Sequence, residues 1–300
     1  MPVNDELGKR MKEFYEQVPK TRLVRRTPVA IRIDGKAFHT FTRGFEKPFD
    51  EVLGRAMRET MKYLCENIQG CVLGYTQSDE ITLILIDYKK LTSSAWFDYE
   101  VQKMCSIAAS MATMAFNKAF AHEVAAQSKR LYTEYLNNND ASYIDALEKA
   151  MNKGAMFDAR VFNIPKEEVA NLIYWRQLDA TRNSIQMVGQ ANFSHKELQN
   201  KSCNQIQEML FQERNINWND FPAHLKRGSC CIKSDVSVTF ATEHEDGSVT
   251  TGTVERPHWK IDLEIPIFKG EGRQYINDRI LYGVEGEPFD EGRAYSMLYE

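Results

Sequence analysis

Two apolar runs set five residues apart constrain this chain more than any other feature. Residues 71–75, CVLGY, and 81–86, ITLILI, flank the polar break at 76–79, TQSD, with Glu80 at its edge. Short runs that are apolar at nearly every position and bounded by turn-formers are strands covered on both faces. The break between them predicts a hairpin. A third such run, 29–33, VAIRI, ends in Asp34-Gly35. One aspartate thus closes a strand and another sits in the turn between two more. Hard divalent cations are held by oxygen ligands of this kind.

The intervening segments read as helices. Asp50 or Glu51 opens one in which Leu53, Ala56, Met57, Thr60, Met61, Leu64 and Ile68 recur at helical spacing, and Gly70 stops it. A long helix is expected over 98–126, with small residues packed through 106–115. A turn-rich break at 137–140, a short helix at 143–151 and a strand at 157–164 stopped by Pro165 follow. The order β-α-β-β-α-β is the ferredoxin-like split unit, an α+β arrangement of an antiparallel sheet backed by helices. Its first and third strands lie side by side at the centre, so Asp34 is expected to meet Asp79.

Before this unit, residues 4–17 predict an amphipathic helix with Leu7, Met11, Phe14 and Tyr15 on one side. After Pro165 the spacing predicts helices over 167–192 and 202–214, with Ser202 as N-cap. A hairpin is expected at 234–241 and 248–255 around Asp246-Gly247, then a strand at 259–267 and a loop after Lys269. Pro165 divides a catalytic part, 1–165, from a helical and hairpin part, 166–300.

Composition narrows the function classes. Hydrophobic residues at 43% and charged residues at 27% are those of an ordinary globular protein. No apolar run approaches a membrane span and no signal pattern opens the chain, so a cytoplasmic protein without a membrane partner is expected. The six cysteines form no C-x-x-C pair, which argues against zinc and for core thiols. A net charge of −4 argues against non-specific coating of nucleic acid. The runs Lys20, Arg22, Arg25, Arg26 and Lys226-Arg227 are of a kind usually found as solvated surface. No G-x-S-x-G, H-E-x-x-H or Walker A sequence occurs.

Asp34, Asp79 and the Gly35 carbonyl can hold two metal ions bridging an attacking oxygen and a phosphate. A strand-ending turn and a hairpin turn call for the same residues, so spacing alone leaves both readings open. Glu80 is either a neighbour of that site or a charge at a strand start. The amides of Gly35, Lys36, Ala37, Phe38 and His39 can form an anion-binding nest for a triphosphate. Lys36, His39, Arg43 and Lys47 add positive charge. In 175–183, WRQLDATRN, Arg176, Asp179 and Asn183 share a helix face beside Arg182, either a salt-bridge stripe or a surface for an RNA backbone. Ser194-His195-Lys196 and Lys226–Ser229 would extend that surface. Trp96, Phe97, Trp218 and Trp259 are stacking candidates, though single aromatics are more often core.

RIDGKAFHTFTRGFEKPFD at 32–50, QSDE at 77–80, FDARVFNIP at 157–165 and WRQLDATRNS at 175–184 occur in this order. Together they resemble the tRNA(His) guanylyltransferase superfamily over 32–233. The resemblance implies a polymerase-like palm, run in the reverse 3′–5′ direction with two Mg²⁺ ions. Asp34 and Asp79 match the family's metal-binding aspartates, Gly35 the glycine between them, and Ser78 and Glu80 the residues flanking the second. His39 and Lys47 match triphosphate contacts, and Asp50 a nearby polar position. Arg176, Arg182 and Asn183 are the residues expected to hold RNA. Two departures matter. Thr181-Arg182-Asn183-Ser184 stands where the eukaryotic enzymes carry His-Ile-Asn-Asn, and Phe49 where they usually have Asn. The likeness is therefore to the bacterial, archaeal and phage branch. It implies template-directed repair of 5′-truncated tRNA, ATP activation of a 5′-monophosphate, attack by the 3′-hydroxyl of an incoming nucleotide such as GTP, and a homotetramer.

Three other functions are weighed. Dedicated guanosine addition to tRNA(His) is one. A palm-type nucleotide cyclase is a second, but the Gly-Gly-Asp/Glu-Glu-Phe turn is missing. A non-catalytic RNA-binding module is the third; its exposed aromatics on central strands are not seen in the aliphatic 29–33 and 81–86.

Overall fold

The computed structural model describes residues 6–90, 92–134, 142–243 and 249–281. Helix α1, Glu6–Met11, runs into a π-turn at Lys12–Glu16. Strand β1 is Val29–Gly35, followed by the short α2, Phe38–Phe41, and by α3, Glu51–Asn67. The hairpin β2, Cys71–Gln77, and β3, Glu80–Leu85, leads through a 3₁₀ turn at Trp96–Tyr99 to α4, Val101–Glu134. Next come α5, Ser142–Lys153, and β4, Phe157–Asn163. Helices α6, Lys166–Asn192, α7, His195–Leu198, α8, Cys203–Arg214, and α9, Ala223–Arg227, follow. The chain then forms β5, Ser229–Glu243, and β6, Val249–Asp262, and α10, Gln274–Ile280, is the last described element.

These strands build one six-stranded sheet in the order β4-β1-β3-β2-β5-β6, with antiparallel neighbours throughout. The first four are the expected split unit, with β1 and β3 adjacent. Strand alternation sorts the apolar runs onto two faces. Ile31, Ile33, Ile81, Leu83 and Leu85 enter one core with Met57, Met61 and Leu64 of α3 and Met104, Ala108 and Phe116 of α4. Ala30, Ile84 and Ile86 enter a second core, with Leu73 and Tyr75 of β2 and Val169, Ala170 and Ile173 of α6. A sheet covered on both sides is why these strands lack polar alternation. Cys65, Cys71, Cys230 and Cys231 are buried free thiols, as expected of core cysteines.

Several sequence expectations shift. Helix α4 starts at Val101 because Phe97, Asp98 and Tyr99 adopt positive φ just before it. Strand β5 begins at Ser229, earlier than the hairpin signal, because Ser229, Cys230 and Cys231 pair with β2. One sheet therefore continues across Pro165. Trp259–Asp262 is the end of β6, not a separate strand over 259–267, and Pro266 just beyond could not donate to a ladder. The expected loop after Lys269 contains α10, whose Ile276 and Ile280, four apart, are buried against the second core. The residues expected on one side of the N-terminal helix, Leu7, Met11, Phe14 and Tyr15, are all exposed. The turns expected at Asn137–Asp140 and Asp246-Gly247 lie outside the described residues.

Candidate active site

The β1 end and the β2–β3 turn are tied together: the Gly35 amide donates to the Asp79 carbonyl at 3.1 Å. Register sets Asp34 opposite Glu80 on one side and Asp158 on the other. The Ser78 hydroxyl donates to Asp79 Oδ1 at 3.0 Å from a left-handed backbone, φ 50°. Burial raises the Asp79 carboxyl above the ordinary aspartate value, and the nearby Asp34 charge raises it further. The Asp34 carboxylate has no hydrogen-bond or ion-pair partner among the described residues. Two close carboxylates without a compensating cation suit a metal ion chemically. No group of three or more His, Cys, Asp or Glu gathers among the described residues. Any metal here would therefore rest on the two aspartates, a backbone carbonyl and substrate oxygens.

The next segment is anchored from beneath. Phe38, Phe41 and Phe45 are buried against Phe116, Phe120 and Phe157, with ring centroids 5.0–5.9 Å apart. Their spacing of three and four is the helical signal that pins residues 38–45 to α4 and β4. The Phe38 ring thus belongs to the core, leaving its amide as the group available to a nucleotide. A Cβ added at Gly35 would lie 2.3 Å from that ring, so the close approach requires glycine. Lys36, Ala37, His39 and Lys47 are exposed, and Lys36, His39 and Lys47 make no ion pair among the described residues. With Ser78, Asp79, Leu53, Met187 and Gln190 the loop borders an open cleft of about 560 Å³.

Asp50 lines this cleft too, but its oxygens are engaged. Oδ1 caps α3 by accepting from the Leu53 amide at 2.9 Å. Oδ2 accepts from the Glu46 amide at 3.1 Å and the Tyr143 hydroxyl at 2.9 Å. It shapes the loop that carries Lys47.

The helical polar stripe is corrected. Arg176 does not face outward: it is 7% exposed and Glu80 is 6% exposed. Arg176 Nε donates to Glu80 Oε1 at 2.6 Å and Nη2 to Oε2 at 2.7 Å, with Asp179 Oδ2 at 3.0 Å. Burial raises the Glu80 carboxyl above its ordinary value while Arg176 pulls it down. Arg182 remains 60% exposed and pairs with Asp179. Asn183 lines a smaller pocket of about 130 Å³ with Gln77, Ser78, Ser184 and His224. Of the expected surface groups, Arg25 is bound to the buried Asp87 at 2.6 Å, Trp96 is buried, and Trp218 donates to the Ser184 hydroxyl at 3.0 Å.

Arg32, Arg160 and Trp175 lie inside the sequence motifs without a role there. Their signal was a lone arginine inside the apolar run VAIRI and an exposed tryptophan next to Arg176.

Known proteins agree with this architecture. A bacterial tRNA(His) guanylyltransferase-like protein in complex with ATP is 38% identical, with a TM-score of 0.71, covering 92% of this chain and 100% of that one. Such a protein in complex with GTP is 37% identical, with a TM-score of 0.65, covering 91% and 98%. The uncharacterized protein R259 of Acanthamoeba polyphaga mimivirus is 32% identical over 261 residues, 84% of each chain. The sequence pattern described as tRNAHis guanylyltransferase matches residues 8–165, and with these likenesses the chain belongs to the tRNA(His) guanylyltransferase family, whose members are nucleotidyltransferases.

Proposed function

We propose that this protein repairs tRNA by adding nucleotides in the 3′–5′ direction to a truncated 5′ end, guided by the opposite strand of the acceptor stem. One observation carries the reading: the Gly35–Asp79 hydrogen bond ties the end of β1, which carries Asp34, to Asp79 beside a cleft lined by Gly35, His39 and Lys47. A carboxylate pair beside a cationic, amide-rich loop is what transfer of a nucleotidyl group needs. The ATP- and GTP-bound relatives support a triphosphate as ligand. Repair, rather than one dedicated guanosine addition, is supported by Thr181-Arg182-Asn183-Ser184 in place of His-Ile-Asn-Asn and by the likeness to bacterial proteins of 37–38% identity.

Asp34, Asp79 and the Gly35 carbonyl are the residues that would hold two Mg²⁺ ions. Bound there, the cations lower the pKa of an attacking hydroxyl and neutralise phosphate charge. Lys47, His39 and the 35–39 amides orient the triphosphate, and Asp50 fixes their loop. Glu80 stabilises the turn through Arg176, which therefore serves RNA binding indirectly, and Arg182 and Asn183 are the residues expected to touch the RNA. Residues 1–165 supply the chemistry; 166–300 supply RNA and oligomer contacts, with a cytoplasmic homotetramer expected and light scattering as its check.

The test incubates the protein with Mg²⁺, ATP, labelled nucleoside triphosphates and a 5′-monophosphorylated tRNA lacking its first nucleotide. Extension that follows the pairing base is expected, and loss of it in Asp79→Ala. Addition of guanosine to tRNA(His) alone would favour the dedicated enzyme; cyclic products from triphosphate alone would favour a cyclase.

A further inference from the structure

The α6 side of β1 and β4 carries a guanidinium that lies within the field of Glu80 but makes no ion pair among the described residues. Alternation puts Arg32 two positions from Asp34 on the same face of β1. Register places Arg32 beside Arg160 of β4. Arg32 is partly exposed, yet its Nε is buried with no acceptor, and the guanidinium makes no ion pair among the described residues. It lies over the Trp175 ring, 5.9 Å from the centroid. Arg25 and Arg176, by contrast, are each paired with a carboxylate.

A buried donor without an acceptor in a native protein calls for a ligand or water to complete it. Guanidinium groups match phosphate oxygens in geometry and charge. Arg160 stands beside it, 55% exposed and joined to Asp158 at 3.5 Å. Trp175 is 51% exposed and packs on Arg176 at 4.5 Å, which leaves much of its ring open to a stacking base. None of these three residues borders the cleft beside Lys47. Asp34 is therefore flanked by two separate surfaces, one for a triphosphate and one not yet assigned.

We propose that Arg32, Arg160 and Trp175 form the seat of the RNA 5′ end, with the two arginines taking its terminal phosphate and Trp175 stacking on its terminal base. The assignment rests on the RNA-repair reading above. It explains why a lone arginine stands inside an otherwise apolar central strand. It also lets the RNA end and the nucleotide reach Asp34 from different sides.

The test measures binding of a 3′-labelled acceptor-stem RNA lacking its first nucleotide, with either a 5′-monophosphate or a 5′-hydroxyl, in Mg²⁺ without nucleotide. The wild type is expected to prefer the monophosphate about tenfold, the worth of one charge-assisted hydrogen-bond set. Arg32→Gln and Arg160→Gln should each reduce that preference to about twofold or less, with labelled ATP binding unchanged. Trp175→Ala should weaken both RNAs by about tenfold alike. A wild-type preference retained in both arginine variants overturns the proposal. So does an equal loss of ATP affinity, which would put Arg32 on the triphosphate. If Arg32→Gln does not fold, the exposed Arg160 decides alone. A wild type that extends RNA but ignores its 5′ phosphate overturns this seat and leaves the repair reading standing.

Discussion

Replacing Arg176 by Met isolates the interaction that joins α6 to the β2–β3 turn of the candidate site. The side chains of Arg176 and Glu80 are each 8% exposed, and the pair is bidentate. Removing one partner of such a pair strands a buried charge and costs about 3–5 kcal/mol. In a chain of this size that lowers Tm by roughly 6–20 °C. The loss should depend on pH with a defined sign. Without Arg176, burial, the largest influence on Glu80, is opposed only by the weaker Arg32 charge and raises its folded pKa further above its unfolded value. The folded variant then binds a proton that the unfolded chain gives up, so its stability falls as pH rises through the folded pKa. Denaturant unfolding of metal-free protein should show a larger deficit at pH 8 than at pH 5. Adding Glu80→Leu should recover most of it, because no charge is left to bury. Equal deficits at both pH values, or no recovery in the double variant, would refute the argument.

Three other outcomes follow from the geometry. Gly35→Ala forces a methyl to within 2.3 Å of the Phe38 ring, and should cost about 1–3 kcal/mol in urea unfolding and displace the nucleotide loop, seen as a raised KM for triphosphate. Asp50→Ala removes the α3 cap and the links to Glu46 and Tyr143; it should cost about 1–2 kcal/mol by the cap alone and raise KM more than it lowers kcat. Asp79→Asn should raise the metal-free Tm at pH 7.5 and abolish nucleotide addition. The Asp79 carboxyl has a raised folded pKa, so its ionisation opposes folding as pH climbs, and Asn carries no charge.

The split β-α-β-β-α-β unit was legible because its signals are local. A strand buried on two faces is apolar on both, as at Leu83–Ile86, and α3 shows its inward stripe at Ala56, Met57, Met61 and Leu64. The Asp34–Asp79 pair was legible by the same route, since sheet order alone brings those two positions to one end. Helix α10 was not, because two isoleucines four apart are a weak stripe in a glycine-rich, acidic tail. They become core only when β2 and α6 offer a surface.

Side-chain direction was decided by tertiary structure. The helical spacing of Arg176, Asp179 and Asn183 placed them on one face, but periodicity does not say whether that face meets water or a sheet edge. Helix α6 crosses the second core, and the Glu80 carboxylate waiting under it turned Arg176 inward. Beyond that core Trp175 stays exposed, and Arg32 beneath it keeps a buried Nε with no acceptor. Residue types and order therefore determined the split sheet unit and the meeting of Asp34 and Asp79 at one end of it. Which arginines are paired and which remain open to phosphate was determined only by long-range packing, because charge pairing across 96 positions is a property of the folded sheet and not of any segment.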